Sequence, residues 1–250
     1  MRPGVPDVHI TDPQDSELAA YRAFSGLALA ALVFGLLAAL ALVDPLLWAL
    51  PVAGAALGWM ALRRIKKQWP ALSGRSLAWL GLVLSLVFLV AAPTQWLVYR
   101  WQVRAEAREF ADMYFKYLAK GEPQKAFQLA LAPQQRLPLR DDAQIWGFFR
   151  NNQKMRQGLE NFVGWPVVKT LLAKRHEAIV RFYETIDQEG VEGDRDMVKQ
   201  RYAVTYEEGG EKKTFFIDVR MMRQVLPDHT AGWFVVSPGP ELVTDKSSIR

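Results

Sequence analysis

The chain has 250 residues and a net charge of +5, and half of its residues are hydrophobic. It contains no Cys, which excludes disulfides, thiolate catalysis and Cys-based metal sites. The hydrophobic residues are concentrated before residue 98, whereas charged residues recur every few positions from Tyr99 onward. We therefore predict one membrane part followed by one water-soluble part.

Residues 1–22 form a polar and acidic lead that contains three prolines. A secretory signal peptide would place cations directly before a short apolar core and a small-residue cleavage site. The lead lacks that pattern, so we predict a short disordered tail.

Three apolar runs follow, at residues 24–43, 46–62 and 77–98. A helix needs about 20 apolar residues to cross a ~30 Å hydrocarbon core. None of the runs has the polar face that a helix of a soluble bundle carries. We predict a transmembrane module of three helices over residues 23–98, whose second and shortest run either spans or only half inserts. Asp44-Pro45 predicts a tight hairpin with its tip at a membrane surface.

The loop at 63–76 carries cations and no acidic residue, and its cations are Arg63, Arg64, Lys66, Lys67 and Arg75. A nucleic-acid-binding domain would display its cations on a folded face. Cations between two apolar runs are typical of a cytoplasmic loop. We predict that they fix the topology and attract anionic lipid headgroups, and that the protein does not bind nucleic acid.

With three spans, the N-terminus is predicted to be cytoplasmic and the C-terminal domain extracytoplasmic. The tail and the loop, on one side, carry more Lys and Arg than the hairpin tip and the stretch after the third run. Three arginines just after that run (Arg100, Arg104 and Arg108) argue against this orientation.

Small residues recur four apart in each apolar run. These stripes consist of Ala31, Gly35 and Ala39, of Gly54 and Gly58, and of Gly81 and Ser85. Small residues let helix backbones approach closely in lipid, so we predict a compact three-helix unit. Chance occurrence in Ala- and Gly-rich spans remains the alternative, and self-association of the chain is left open.

The N-terminal half resembles a small bacterial membrane module to which no chemistry is assigned. The resemblance rests on YRAFSGLALAALVFGLLAAL, PVAGAALGWMALRRIKK and SGRSLAWLGLVLSLV, with A-L-R-R-I at 61–65 and G-R-x-L-A-x-x-G-L-V-L at 74–84. This chain departs from the module in its longer loop, with Gln68-Trp69-Pro70. The resemblance implies a multi-pass protein of the bacterial inner membrane and no catalytic role.

From residue 104 the pattern becomes that of an amphipathic helix, which we expect to continue the third run without a break. Gly121-Glu122-Pro123 should end it. A second helix is predicted around residues 126–131, and a third at 141–157, opening on two acids.

Apolar residues then alternate with polar ones, which predicts strands. The predicted strands are Val168–Lys174, Ala178–Ile186, Arg201–Glu207, Thr214–Met222 and Trp233–Val236. Gly209-Gly210 predicts a hairpin turn, and residues 187–196 an acidic loop. We predict an α+β domain over residues 104–237 with helices on one face of a curved antiparallel sheet, and a flexible tail at 238–250.

This order of elements resembles the nuclear transport factor 2-like superfamily. The resemblance rests on AREFADMYFKYLAKGEPQKAFQLA and on the strands between residues 178 and 236. It implies a cone-like fold with a pocket. Because that superfamily contains both enzymes and binding modules, the resemblance implies no function.

Glu184 is the one candidate catalytic residue. It is expected to share a strand face with Val180 and Phe182, where it could line a pocket as a base. The alternative is a structural acid paired with a cation such as Arg181. Aromatic residues of the helices would line a cone interior or fill the core: Tyr114, Tyr117, Trp146 and Phe148.

No metal or cofactor is predicted. The three histidines, His9, His176 and His229, lack metal-ligand spacing, and no phosphate-binding or dinucleotide signature occurs. A transporter is disfavoured because the spans carry no ionisable residue to mark a path.

The sequence therefore predicts a membrane anchor that presents an extracytoplasmic domain, which binds a partner protein or a small apolar ligand and catalyses nothing itself. The alternative is a membrane-tethered enzyme that uses Glu184 in a pocket of the α+β cone.

Overall fold

The computed structural model describes residues 23–67, 72–137, 142–191, 195–228, 230–236 and 239–243. The chain divides into two compact units between Tyr99 and Arg100. The predicted disordered lead lies outside the described residues, as do positions 68–71 of the basic loop.

The first unit is helical. Helix α1 (Gly26–Leu37) continues as a 3-10 helix (Ala38–Leu42), and a second 3-10 helix (Pro45–Trp48) leads into α2 (Ala49–Lys67). Helix α3 (Arg75–Ala119) contributes residues 75–99 to this unit and residues 100–119 to the second. Two short segments, β1 (Ala23–Phe24) and β2 (Leu72–Ser73), pair in parallel.

The predicted hairpin between the first two runs is present. Asp44 accepts a hydrogen bond from the backbone N–H of Leu46 at 2.8 Å, which caps the 3-10 helix that Pro45 begins. A carboxylate cap followed by Pro in the first turn is a favourable helix start.

The described residues contain two helices long and apolar enough to cross a membrane, Pro45–Lys67 and Arg75–Ala119, where three were predicted. The first apolar run forms a shorter helical segment, Gly26–Leu42, because it changes from α to 3-10 geometry at Ala38. The second run was expected either to span the membrane or only to half insert. It is long enough to span, because the 3-10 turn at Pro45 extends its helix.

Small residues form the interior of the first unit. On α1 and its 3-10 extension, the buried positions are Ala28, Ala31, Gly35, Ala38 and Ala41. The predicted stripe placed Ala39 in this series. Ala38 replaces it because a 3-10 helix repeats every three residues rather than every 3.6.

The second unit adds four helices and a sheet. Its helices after α3 are α4 (Pro123–Ala130), α5 (Asp142–Asn151), α6 (Gln153–Gly164) and α7 (Pro166–Ala173), with a 3-10 turn at Pro133–Gln135. Gly121 follows the end of α3 with φ of +74°, a conformation that glycine adopts without strain. The predicted stop at Gly121-Glu122-Pro123 is therefore confirmed.

The sheet is antiparallel and open, with strand order β3-β4-β5-β6. Its strands are β3 (Ile179–Val191), β4 (Arg195–Glu208), β5 (Glu211–Val225), β6 (Ala231–Val235) and the short β7 (Glu241–Leu242), which pairs with β5. Gly209 and Gly210 form the β4–β5 turn with φ of +65° and +82°. The turn pairs Glu208 with Glu211, as predicted.

The helices pack on one face of this sheet, so the predicted α+β class is confirmed. Phe115 of α3 lies 4.9 Å, between ring centroids, from Tyr202 of β4. Phe162 of α6 contacts both Tyr114 and Phe127. These aromatic contacts and the buried aliphatic residues of β4 and β5 form one continuous core.

Several predicted elements were wrong. Residues 168–173 are helical rather than extended, because Pro166 opens a helix whose buried face is Val167, Val168 and Leu171. The predicted third helix is two helices, since Asn152 caps α6 by accepting from the N–H of Met155 at 3.3 Å.

The predicted acidic loop at 187–196 is largely strand. Strand β3 runs to Val191 and β4 begins at Arg195, with only residues 192–194 between them outside the described part. The predicted flexible tail contains β7, and the rest of it beyond residue 243 lies outside the described residues.

Candidate functional site

A basic and aromatic cavity of about 830 Å³ lies in the first unit, at the end of α2 and the start of α3. We call it the basic pocket. Its lining residues are Trp59, Leu62, Arg63, Ile65, Lys66, Arg75 and Trp79. Residues 59, 62, 63 and 66 follow the i, i+3, i+4, i+7 spacing of one helix face, and residues 75 and 79 are one turn apart on α3.

Three of the five cations that were predicted to fix the topology and attract lipid headgroups line the basic pocket. Arg63, Lys66 and Arg75 line it, whereas Arg64 and Lys67 do not. All five side chains are exposed. The guanidinium carbon of Arg63 lies 4.9 Å from the ring centroid of Trp59, a cation–π contact that orients this arginine.

None of these five cations forms an ion pair with a carboxylate within the described residues. The carboxylates that do form ion pairs there all belong to residues of the second unit. Basic residues in the last turn of α2 and the absence of acids in the first turn of α3 leave the pocket with a positive potential.

The four predicted packing glycines lie at helix–helix contacts. A Cβ built on Gly35 would come within 2.7 Å of the carbonyl oxygen of Gly81, and one built on Gly58 within 3.0 Å of the Leu82 side chain. Gly54 lies against the hydroxyl of Ser85, which donates a hydrogen bond to the Gly81 carbonyl at 2.8 Å. The small side chains thus permit close approach of the helix backbones, and the Ser85 hydroxyl keeps a hydrogen-bond partner.

Glu184, the candidate base, does not share the face that the sequence predicted. Phe182 pairs with Tyr202 of β4, but Glu184 pairs with Arg201, so Tyr183 is an extra residue in β3. Such a β-bulge reverses the alternation of the strand. Glu184 therefore points to the sheet face opposite the helices, and the prediction that it shares a face with Val180 and Phe182 is wrong.

On that outer face, Glu184 belongs to an ion-pair cluster. Its carboxylate lies 3.5 Å from Nη1 of Arg201, which binds Asp218 at 2.8 Å, and Lys199 lies 3.1 Å from Asp218. Arg201 and Asp218 are only 5% and 6% exposed. The hydrogen bond that Arg201 donates to Asp218 raises the pKa of the Arg201 guanidinium. This arrangement matches the structural alternative for Glu184, with Arg201 as the partner in place of Arg181.

A second cavity, of about 530 Å³, lies between α3 and the start of β3. Its floor is apolar, with Phe115, Val180 and Phe182, and its charged lining residues are Arg108, Asp112, Lys116 and Arg181. The Arg108 guanidinium lies 4.6 Å from the Phe182 ring centroid. Burial raises the pKa of Asp112, while Arg108 lowers it and Glu109 raises it further. We call this cavity the α3–β3 groove.

The remaining candidate residues carry no common site. Tyr114 is fully buried in the core, and Trp146 is 44% exposed. His176 is exposed and accepts a hydrogen bond from the adjacent Arg175, while His9 and His229 lie outside the described residues. Within the described part, no group of three or more metal-ligating side chains is close enough to hold an ion.

Sequence reasoning missed the α3–β3 groove and a half-buried arginine, Arg136. Its guanidinium donates to the carbonyls of Leu129, Leu131 and Trp233. Desolvation lowers the pKa of Arg136 to about 10. Neither feature has a local sequence signal, because both join residues far apart in the chain.

Comparison with protein-family models, with curated proteins and with solved structures finds no match. The two resemblances drawn from the sequence therefore remain predictions.

Proposed function

We propose that this protein is a bacterial inner-membrane protein in which the first unit anchors the chain and the second unit is a binding domain outside the cytoplasm. The single observation that carries the proposal is the inverted character of the first unit. Its buried positions are chiefly Ala, Gly and Ser, whereas its large apolar side chains, chiefly Leu, Val, Met and Trp, are exposed along the apolar runs.

This inversion indicates a lipid surrounding. A helical bundle in water buries its large apolar side chains, because burying them supplies most of its stability. Here Leu36, Val43, Leu46 and Val90 are at least 60% exposed, and Ala31 and Ala38 are fully buried. In lipid, burying a leucine side chain between helices gains no hydrophobic free energy. Close backbone packing through small residues stabilises the unit instead.

The helix lengths fit a bilayer. Residues 26–42 would rise about 28 Å, since twelve residues are α-helical and five have the longer 3-10 rise. This is close to a ~30 Å hydrocarbon core, so three passes remain our proposal although the first helix is short. On α3, Trp79 and Trp96 lie about 26 Å apart along the axis, a spacing suited to the two interfaces.

The orientation follows from the basic residues at the α2–α3 connection. Their number favours the cytoplasmic side, and α3 then carries the second unit to the other side. This conclusion depends only on α3 crossing the bilayer. The number of passes decides the side of the N-terminus alone.

The second unit is proposed to bind rather than to catalyse. Its core is filled by side chains, and Glu184 lines neither the basic pocket nor the α3–β3 groove. The groove offers an apolar floor beside cations, a combination suited to a ligand or peptide with an apolar part and a negative charge. No observation favours the enzyme alternative.

Cysteine labelling tests the proposal without removing native thiols, because the chain has no Cys. Single variants K67C, D44C, S16C and E211C would be treated, in cells with an intact inner membrane, with a membrane-impermeant maleimide. With three passes, D44C and E211C react from outside, and K67C and S16C react only after lysis. Labelling of S16C from outside would reduce the passes to two. Labelling of K67C from outside, or recovery of the protein in the carbonate-soluble fraction, would overturn the proposal.

A further inference from the structure

We infer that the basic pocket is a binding site for the phosphate group of one anionic phospholipid in the cytoplasmic leaflet. The inference rests on the proposed anchor function, because it requires the first unit to lie in a bilayer. It goes beyond it, because it assigns a defined lipid site rather than a general attraction of cations to the membrane surface.

The first argument is the chemistry of the lining. Arg63 and Arg75 each present a planar guanidinium that can donate two parallel hydrogen bonds to phosphate oxygens, and Lys66 adds a point charge. No carboxylate competes for these groups within the described residues. A cavity of about 830 Å³ is large enough for a lipid headgroup together with the start of its chains.

The second argument is the aromatic pair. Trp59 and Trp79 both line the pocket, both are about half exposed, and one belongs to each helix. Indole rings settle at the depth of the headgroups, with their apolar part toward the acyl chains. Cations beside two such rings therefore lie where a phospholipid carries its phosphate. A soluble phosphate would gain nothing from the indole rings or from the apolar Leu62 and Ile65.

The third argument is the start of α3. Gly74 supplies the carbonyl that accepts the first helical hydrogen bond, from Ala78 at 3.0 Å, and its φ is +113°. The helix begins at Arg75 with no acidic residue in its first turn. The positive end of the helix dipole thus coincides with the residue that lines the pocket, which further favours an anion there.

The structure also supplies a matched control. Arg64 and Lys67 lie on the same helix turn, are also exposed, and do not line the pocket. A general electrostatic attraction would use all five cations alike. A defined site would depend on Arg63, Lys66 and Arg75 far more than on the other two.

The test is native mass spectrometry of the full chain in detergent micelles. Dioleoylphosphatidylglycerol and dioleoylphosphatidylcholine, which share their acyl chains, are titrated separately. We expect the wild type to retain one phosphatidylglycerol at least about tenfold more tightly than phosphatidylcholine. The double variant R63Q/R75Q should lose about tenfold in affinity for phosphatidylglycerol, and R64Q/K67Q should stay within about twofold of wild type.

Equal losses in the two double variants would overturn the site and leave only surface attraction. Equal retention of the two lipids by wild type would overturn it as well. A third arm separates lipid from free anion: inorganic phosphate is added at millimolar concentration. Displacement of the lipid by phosphate would overturn the assignment to a phospholipid, and persistence of the lipid adduct supports it.

A conservative variant keeps the test valid if R63Q/R75Q fails to fold. R63K/R75K retains both charges and loses only the bidentate geometry, so we expect an intermediate loss of about threefold. An unchanged affinity in R63K/R75K would overturn the guanidinium–phosphate contact. Failure of the anchor itself looks different, because the protein would then remain monodisperse without detergent and retain neither lipid.

Discussion

Gly81 and Ala31 meet backbone to backbone: a Cβ built on Gly81 would lie 2.5 Å from both the carbonyl carbon and the carbonyl oxygen of Ala31. Helices α1 and α3 are therefore as close as their peptide groups allow. The atoms in the way belong to the backbone, which cannot rotate aside as a side chain can. This contact depends on dispersion forces that fall off steeply with distance.

We accordingly predict that Gly81→Ala destabilises the first unit by about 1–3 kcal/mol, the usual cost of overpacking. The measurement is the unfolding midpoint when sodium dodecyl sulfate is added to the full chain in mild detergent. Gly26→Ala is the matched control, since nothing lies within 4 Å of a Cβ at Gly26. Equal midpoints for the two variants would show that α1 and α3 are not packed at Gly81.

We predict that Asp218, which forms an ion pair with Arg201, contributes more to stability than Glu184, the candidate base. Asp218→Asn removes the nearer carboxylate of the buried Arg201 guanidinium and leaves only that of Glu184, at 3.5 Å, so we expect a cost of up to about 3–5 kcal/mol. Glu184→Gln removes a carboxylate whose side chain is 44% exposed and 3.5 Å from the same arginine, which should cost less than about 1 kcal/mol. Hydrogen–deuterium exchange of β4 and β5 peptides in the full chain measures both. A larger effect from Glu184→Gln would mean that the outer-face cluster is centred elsewhere.

The sequence carries enough information to pair Arg201 with Asp218. Alternation places both on the face opposite Tyr202 and Ile217, and a two-residue turn at Gly209-Gly210 fixes the register between the strands. The coarse order, helices followed by an antiparallel sheet, was likewise predictable from periodicity. So was the continuous passage of the third apolar run into the first helix of the second unit.

The position of Glu184 was not predictable in this way. A bulge at Tyr183 adds one residue to β3 and turns Glu184 to the other face, and a second register shift follows between Thr185 and Asp187. No residue type at Tyr183 signals the bulge. The helix α7 was missed for a different reason. A short run of Val and Leu fits a strand and a helix equally well, and Pro166 with its tertiary contacts decides between them.

The sequence predicted the cations of the basic pocket but not which of them line it. The cations were visible as a cluster, and their place between apolar runs indicated a membrane surface. Which of them converge depends on the angular position of each residue on α2 and on where α3 begins. No motif in the sequence predicts that α3 begins at Arg75.

The carboxyl of Asp112 should make stability depend on pH. Burial, with a contribution from Glu109, raises its pKa above the usual 3.8 in the folded state, against the opposing effect of Arg108. The folded protein thus holds this proton more tightly than the unfolded chain does, so stability is lost as the pH rises through and above 3.8. We predict that Asp112→Asn is at least as stable as wild type at neutral pH and that the difference disappears below pH 3.8.

Thermal unfolding of the full chain in micelles across this pH range measures that difference. Glu160→Gln is the control, because the side chain of Glu160 is 70% exposed on α6 and lies 4.0 Å from Arg156 in a weak, solvent-exposed ion pair. A wild type that gains stability relative to Asp112→Asn as the pH rises would contradict the predicted sign.

Replacing the half-buried Arg136 should lower the free energy of unfolding more than replacing an exposed arginine. Its guanidinium donates to the carbonyls of Leu129, Leu131 and Trp233, so it joins the end of α4 to β6. Arg136→Met would leave these carbonyls without donors, and we expect a loss of at least about 2 kcal/mol in urea unfolding of the full chain in micelles. The stability of Arg136→Lys should lie between those of wild type and Arg136→Met, since one ammonium cannot reach three carbonyls. Arg150→Met, at an exposed position in the last turn of α5, should change stability by no more than about 0.5 kcal/mol. If both Met variants lose equally little, the carbonyls are satisfied by water and the arginine does not hold these elements together.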